Sequence, residues 1–263
     1  MTFEHITYER RGRVAIVTLN RPERLNAWTR TMYSESRDAV EQAANDPEVG
    51  AVVFTGAGRA YCSGADVGGW QQQLERGDRG GSGVVEGDDT WIQFLQRQEK
   101  PVIAAINGAA VGVGVTHTLP MDIRIASEQA RFGMAFIKMG LSPEVASSYY
   151  LSQMVGTARA LEWCLTARMV EAEEAREAGL VSEVVAAERL LDRAIELGGQ
   201  LAAQPPGAVK RIRRLFTANA VDGNVESVLA KEAGALAEAR RSPAHREAVN
   251  AFLEKRKPDF SQP

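Results

Sequence analysis

Two glycine-rich turns carry the clearest chemical signal in this chain of 263 residues. Gly56-Ala57-Gly58-Arg59-Ala60-Tyr61-Cys62-Ser63-Gly64-Ala65-Asp66 follows one apolar run; Asn107-Gly108-Ala109-Ala110-Val111-Gly112-Val113-Gly114 follows another and opens a helix. Small residues let a ligand approach backbone amides, and a helix start leaves N–H donors without intrahelical partners. Side by side, two such turns can hold one carbonyl oxygen between two N–H groups, which stabilises an oxyanion in a dry site. Tight packing of strand on helix accounts for the same glycines. Other signatures are missing: there is no phosphate loop, and Gly56-Ala57-Gly58 runs into Arg59-Ala60-Tyr61 instead of completing a dinucleotide-binding turn. His5, His117 and His245 have no metal-ligand spacing and read as solvated or core side chains, so no metal site is expected. Ser63 lacks the first glycine of a nucleophile elbow and has no obvious base. On local sequence alone, Glu144 reads as an N-cap or first-turn acid of a helix over 145–154.

These turns need a scaffold. Residues 8–19 read as two short strands around Arg11-Gly12, and helical spacing runs over 31–44. Residues 51–55 and 102–106 are continuous apolar runs, as expected of strands covered on both faces. Short buried strands alternating with helices predict an α/β arrangement with parallel strands. Segment 71–89, rich in glycine and charge, reads as a mobile loop or lid. Strand signals stop near Val185, and helices follow with breaks near Pro205-Pro206, Asp222-Gly223 and Ser242-Pro243. The chain is therefore expected to divide into an α/β body over 1–195 and a helical region over 196–263. Lys210, Arg211, Arg213 and Arg214 read as a solvated helix face, with anion contact as the alternative.

Composition narrows the partners. Lys and Arg number 31 against 34 Asp and Glu, a net charge of −3, which gives no electrostatic case for nucleic acid or an anionic membrane. Two cysteines, Cys62 and Cys164, are too few for a disulfide scaffold, and the N-terminus lacks the basic end and apolar run of a secretory signal. A cytoplasmic setting is the expectation. The nearly apolar stretch 102–115 is shorter than the ~20 residues that span a bilayer.

In its ordered motifs the chain resembles the crotonase family, the enoyl-CoA hydratase and isomerase group. Asn20-Arg21-Pro22-Glu23-Arg24-Leu25-Asn26-Ala27 is similar to the family's first CoA-contacting segment, 55–66 to its G-A-D loop, and 100–123 to its oxyanion-hole helix. Phe132-Gly133 and 172–184 continue the likeness. The resemblance implies a spiral of ββα units with a C-terminal helical region that builds a homotrimer or dimer of trimers. It also implies an acyl-CoA thioester substrate from fatty acid metabolism, no separate cofactor, and a two-amide oxyanion hole. By position those amides belong to Ala65 and Val113. Substrate contacts are implied at Arg24, Leu25, Ala27, Arg59, Ser63, Gly64, Ala65, Asp66, Val67, Val111, Gly112, Thr116, Phe136 and Pro143, with Arg24 and Arg59 the phosphate candidates.

Hydratases of the family place two glutamates around the double bond. Here the matching positions are Thr116 and Phe136, and neither can act as a general base. A carboxylate stands instead at Glu144, in Gly140-Leu141-Ser142-Pro143-Glu144-Val145-Ala146-Ser147-Ser148-Tyr149, a run similar to the peroxisomal-type Δ3,Δ2-enoyl-CoA isomerases, where one glutamate works alone. Such a base is expected to be desolvated by Met134, Phe136 and Met139. The expectation is isomerisation of 3-enoyl-CoA to 2-enoyl-CoA. The alternatives are hydratase-like, hydrolase or dehalogenase activity on another CoA thioester, or a non-catalytic acyl-CoA-binding module. A hydrolase would draw a carboxylate from Glu86, Asp88 or Asp89, and helix 90–99 lacks the histidine that the dehalogenases use. One helical step turns a side chain by about 100°, so His117 beside Thr116 is expected in the core or at an interface.

Overall fold

The computed structural model describes residues 2–70, Glu75 and 90–260. Strands β1 (Ile6–Arg11), β2 (Val14–Leu19), β3 (Ala51–Gly56), β5 (Val102–Ile106), β7 (Ile123–Ser127) and β10 (Glu183–Val185) form one sheet in the order β1-β2-β3-β5-β7-β10. Its hairpin β1–β2 is antiparallel, and every other pairing is parallel. A second, smaller sheet holds β4 (Ala60–Cys62), β6 (Ala109–Val111), β8 (Arg131–Gly133) and β9 (Met169–Glu171) in that order. Its strands are only three residues long, which is too short for side-chain alternation to show in sequence. The glycine turns accordingly contain strands that the sequence reading assigned to loop and helix.

The helices are α1 (Arg30–Asn45), α2 (Trp91–Arg97), α3 (Val113–Thr116), α4 (Ser147–Val155), α5 (Thr157–Thr166), α6 (Ala172–Ala178), α7 (Leu190–Ala202), α8 (Pro206–Asn219), α9 (Val225–Arg240) and α10 (Pro243–Leu253). None of the described helices is long and apolar enough to cross a membrane. The larger sheet is covered on both faces, as its continuous apolar runs require. Val14, Ile16, Val53, Ile103, Ala105 and Ile125 face Leu190 and Ala194 of α7, while Val17, Val52, Phe54, Ala104, Ile106 and Ala126 face the main core. Gly198 lets α7 lie close, since a Cβ there would come within 2.9 Å of Val14. The expected division at 195/196 falls inside this continuous helix, and the outer helices begin only at Pro206.

The basic cluster on α8 is a solvated face at Arg214, which is exposed, but its other members are paired and Arg213 turns inward. Arg213 reaches back to Asp122 Oδ1 at 2.7 Å and to the Gln98 carbonyl; Lys210 and Arg214 pair with Glu99, and Arg211 pairs with Glu238 at 3.4 Å. The segment 71–89, with Glu86, Asp88 and Asp89, lies outside the described residues apart from Glu75.

Candidate active site

The first site segment folds against the first turn because of one buried side chain. Leu25 and Asn26 both take left-handed backbone, φ 52° and 55°, which is disfavoured for residues other than glycine and has to be held by its surroundings. Asn26, fully buried, does so: its Oδ1 accepts the Arg21 N–H at 2.8 Å, and its Nδ2 donates to the Ala57 and Ala60 carbonyls at 2.9 and 2.8 Å. The Ser63 N–H then donates to the Leu25 carbonyl, so Leu25, Ala27, Ser63 and Gly64 are drawn together. Arg24 and Arg59 stand exposed on the two joined segments. Asp66 is already committed elsewhere: it accepts from the Gly68 N–H at 3.0 Å and from Arg21 at 2.9 Å. Those bonds, the Gly68 amide foremost, hold its carboxyl below the ordinary carboxylate value. Asp66 therefore shapes the turn, and Val67 beyond it is exposed.

Trp28 brackets Ala65. Its N–H donates to the Gly64 carbonyl at 2.8 Å and its carbonyl accepts the Asp66 N–H at 2.9 Å, a parallel bridge that leaves the Ala65 N–H directed to the opposite side. Across from it, Gly112 (φ 53°) turns the chain into α3 after donating to the Gly133 carbonyl, and Val113 is the first helical residue, whose N–H has no preceding turn to bond. The two turns touch through missing side chains. A Cβ on Gly114 would lie 2.2 Å from the Cys62 carbonyl oxygen, and one on Gly108 would lie 2.2 Å from that of Arg59.

Thr116 is fully buried at the end of α3, and its Oγ1 has no hydrogen-bond partner; Phe136 and Val113 are buried in the same core as Met134. Val111 pairs with Gly133, so β8 leads from the second turn into the single turn Ala135–Met139 and on to the segment bearing Glu144. Glu144 is half-buried and Pro143 exposed; Met139 is 53% exposed and does not help desolvate the site. Nor is Glu144 a helix cap. Val145 and Ala146 take left-handed backbone, φ 52° and 48°, so α4 begins only at Ser147 with Ala146 as its N-cap. Left-handed backbone at a β-branched residue is a marked outlier, and strain of this kind collects at functional sites. Val145 itself is anchored in the core with Val113 and Phe136.

His117 is a core residue. Its ring lies 4.6 Å from the Trp28 ring, and its Nε2 is hydrogen-bonded to Tyr61 Oη at 3.0 Å. Burial pushes its pKa down to about 3. Below pH 6.5 the unfolded chain binds a proton there that the folded chain does not, so stability is expected to fall as pH drops from 6.5 towards 3, by up to about 1.4 kcal/mol per pH unit. Urea unfolding at pH 7 and pH 5.5, above the carboxylate range, checks this. A His117→Phe chain that loses as much stability over that interval as the wild type contradicts it.

A cleft of about 1050 Å³ lies elsewhere, lined by Pro47, Glu48 and the starts of α8 and α10. Its arginines are internally committed: Arg13 donates to the Ala202 carbonyl, and Arg211 and Arg256 pair with Glu238 and Glu247. The two facing turns, not this cleft, hold the groups that can act on a carbonyl. Sequence reasoning missed Asn26, Trp28 and Tyr61, whose roles rest on partners 31 to 56 residues away.

The family model described as enoyl-CoA hydratase/isomerase matches residues 9–263. A short-chain-enoyl-CoA hydratase of Clostridium acetobutylicum is 34% identical over 98% of this chain and 97% of its own. A 1,2-epoxyphenylacetyl-CoA isomerase of Escherichia coli is 35% identical, covering 94% and 95%. A probable enoyl-CoA hydratase/isomerase structure from Mycobacterium abscessus superposes with a TM-score of 0.86 at 35% identity, covering 98% and 99%. The chain belongs to the enoyl-CoA hydratase/isomerase family.

Proposed function

We propose that this family member isomerises 3-enoyl-CoA to 2-enoyl-CoA with Glu144 as a single proton shuttle. The observation that supports the reading is a contrast of residues: Thr116 and Phe136, both buried, supply no carboxylate, whereas Glu144 stands half-buried at the start of a strained turn whose Val145 packs in the same core as Phe136. The Ala65 and Val113 amides hold the thioester carbonyl. Glu144 removes a proton from C2, the electrons move into the carbonyl as a dienolate, and the two N–H groups stabilise the negative oxygen. The same carboxyl then returns the proton to C4, leaving the double bond between C2 and C3. Water takes no part, and a dry site favours the transfer.

Arg24 and Arg59 are the proposed contacts for CoA phosphates. Relatives named for hydration and for epoxide isomerisation support a CoA thioester but not one reaction. The test is a panel of 2-enoyl- and 3-enoyl-CoA esters assayed for migration, hydration and hydrolysis. Migration is expected to dominate, and rapid hydration of the 2-enoyl esters overturns the reading.

A homotrimer or dimer of trimers is also proposed, supported by exposed apolar side chains on the outer helices, among them Ile212, Phe216, Leu229, Phe252 and Leu253. Sedimentation is expected to give three or six copies, and a monomer at assay concentration rejects it.

A further inference from the structure

The separation of two oxyanion-binding amides decides their value, because a displacement of about 1 Å can lower turnover by roughly 100-fold. Four contacts bear on that separation here, and all pass through one residue. The His117 N–H donates to the Val113 carbonyl at 3.0 Å, which ties its backbone to the residue carrying one proposed amide. Its ring lies against Trp28, whose backbone holds Gly64 and Asp66 on either side of the other. Its Nε2 bonds the Tyr61 hydroxyl on β4, the strand leading into Ala65. Its carbonyl, at the end of α3, accepts the Trp91 Nε1–H at 2.8 Å, which stops the short helix from turning about its axis.

We infer that His117 is a positioning residue that sets the distance between the Ala65 and Val113 amides by bridging α3 to Tyr61 and Trp28. The inference rests on the two-amide reading above. It gives a function to a buried imidazole that neither touches substrate nor exchanges a proton in the shuttle. A neutral ring suits the role, since a charged one surrounded by Trp28, Trp91, Phe54 and Tyr61 would be driven towards water.

The direct readout is the infrared band of the thioester carbonyl. The probe is trans-2-hexenoyl-CoA carrying ¹³C at that carbon, bound to the full chain. In the wild type the band is expected to move to lower wavenumber on binding, as two N–H donors polarise the bond. His117→Phe keeps a buried aromatic ring, somewhat larger than imidazole, but removes the Tyr61 bond; it is expected to lose most of that shift and to lower kcat by roughly 10- to 100-fold with KM little changed. His117→Gln, whose amide can still meet Tyr61 Oη, is expected to recover much of both. Tyr61→Phe removes only the hydroxyl and carries the test if His117→Phe does not fold. Full retention of the shift in His117→Phe, or in Tyr61→Phe in its place, overturns the inference. Absence of the shift in the wild type overturns the two-amide reading and the inference with it. A wild-type shift without double-bond migration rejects the isomerase assignment alone.

Discussion

Glu144→Gln is expected to lower isomerisation of a 3-enoyl-CoA by roughly 100- to 10,000-fold, the contribution a positioned general acid–base makes. Glutamine matches the size of glutamate but cannot accept a proton from C2, so the dienolate does not form. Folding should be spared, because the Glu144 carboxylate makes no hydrogen bond or ion pair with another described residue, and substitutions of that kind change stability by about 0.5 kcal/mol or less. Titration calorimetry with a 2-enoyl-CoA should therefore return nearly the wild-type Kd, while product analysis shows migration lost. Turnover at the wild-type rate removes Glu144 from the mechanism. Single turnover in heavy-oxygen water separates the remaining roles: a nucleophilic Glu144 acquires label, and a proton shuttle does not.

The second large effect is expected at Gly114. A methyl group there would sit 2.2 Å from the Cys62 carbonyl oxygen and 3.0 Å from the Cys62 Cβ. Backbone cannot swing aside as a side-chain tip can, so Gly114→Ala should force α3 away from β4. Overpacking of this kind costs about 1–3 kcal/mol, and the displaced Val113 amide should lower kcat on the order of 100-fold. Gly199→Ala is the matched control: it lies in exposed α7 backbone with nothing within 4 Å of the added carbon, and a helix-interior alanine should stabilise by up to about 1 kcal/mol. Thermal unfolding and turnover of both variants decide the matter. A Gly114→Ala chain as stable and active as the wild type would mean that the close approach of the two turns has no functional weight.

Much of the scaffold was legible because its strands are buried on both faces. Residues 51–55 and 102–106 appear as β3 and β5, and the helix breaks at Pro205-Pro206, Asp222-Gly223 and Ser242-Pro243 separate α7 to α10. The small sheet was not legible, since three-residue strands such as Ala60–Cys62 and Ala109–Val111 are held by pairing partners far along the chain. Nor was the helix start after Glu144, where a valine and an alanine adopt backbone that their own preferences disfavour.

The candidate site divides in the same way. Which groups are present is a property of composition along the chain: two glycine turns, a threonine, a phenylalanine, and one glutamate further on. How they are used depends on contacts between distant segments. Asp66 is bound by the Gly68 amide two residues on and, from 45 residues away, by Arg21 at 2.9 Å, and Arg213 turns inward to Asp122 across 91 residues. His117, a lone histidine without a motif, becomes the link between two turns once Tyr61 and Trp28 close around it. Residue type sets what a side chain can do chemically; burial and partners brought from far along the chain set its charge and position, and these exist only in the folded molecule.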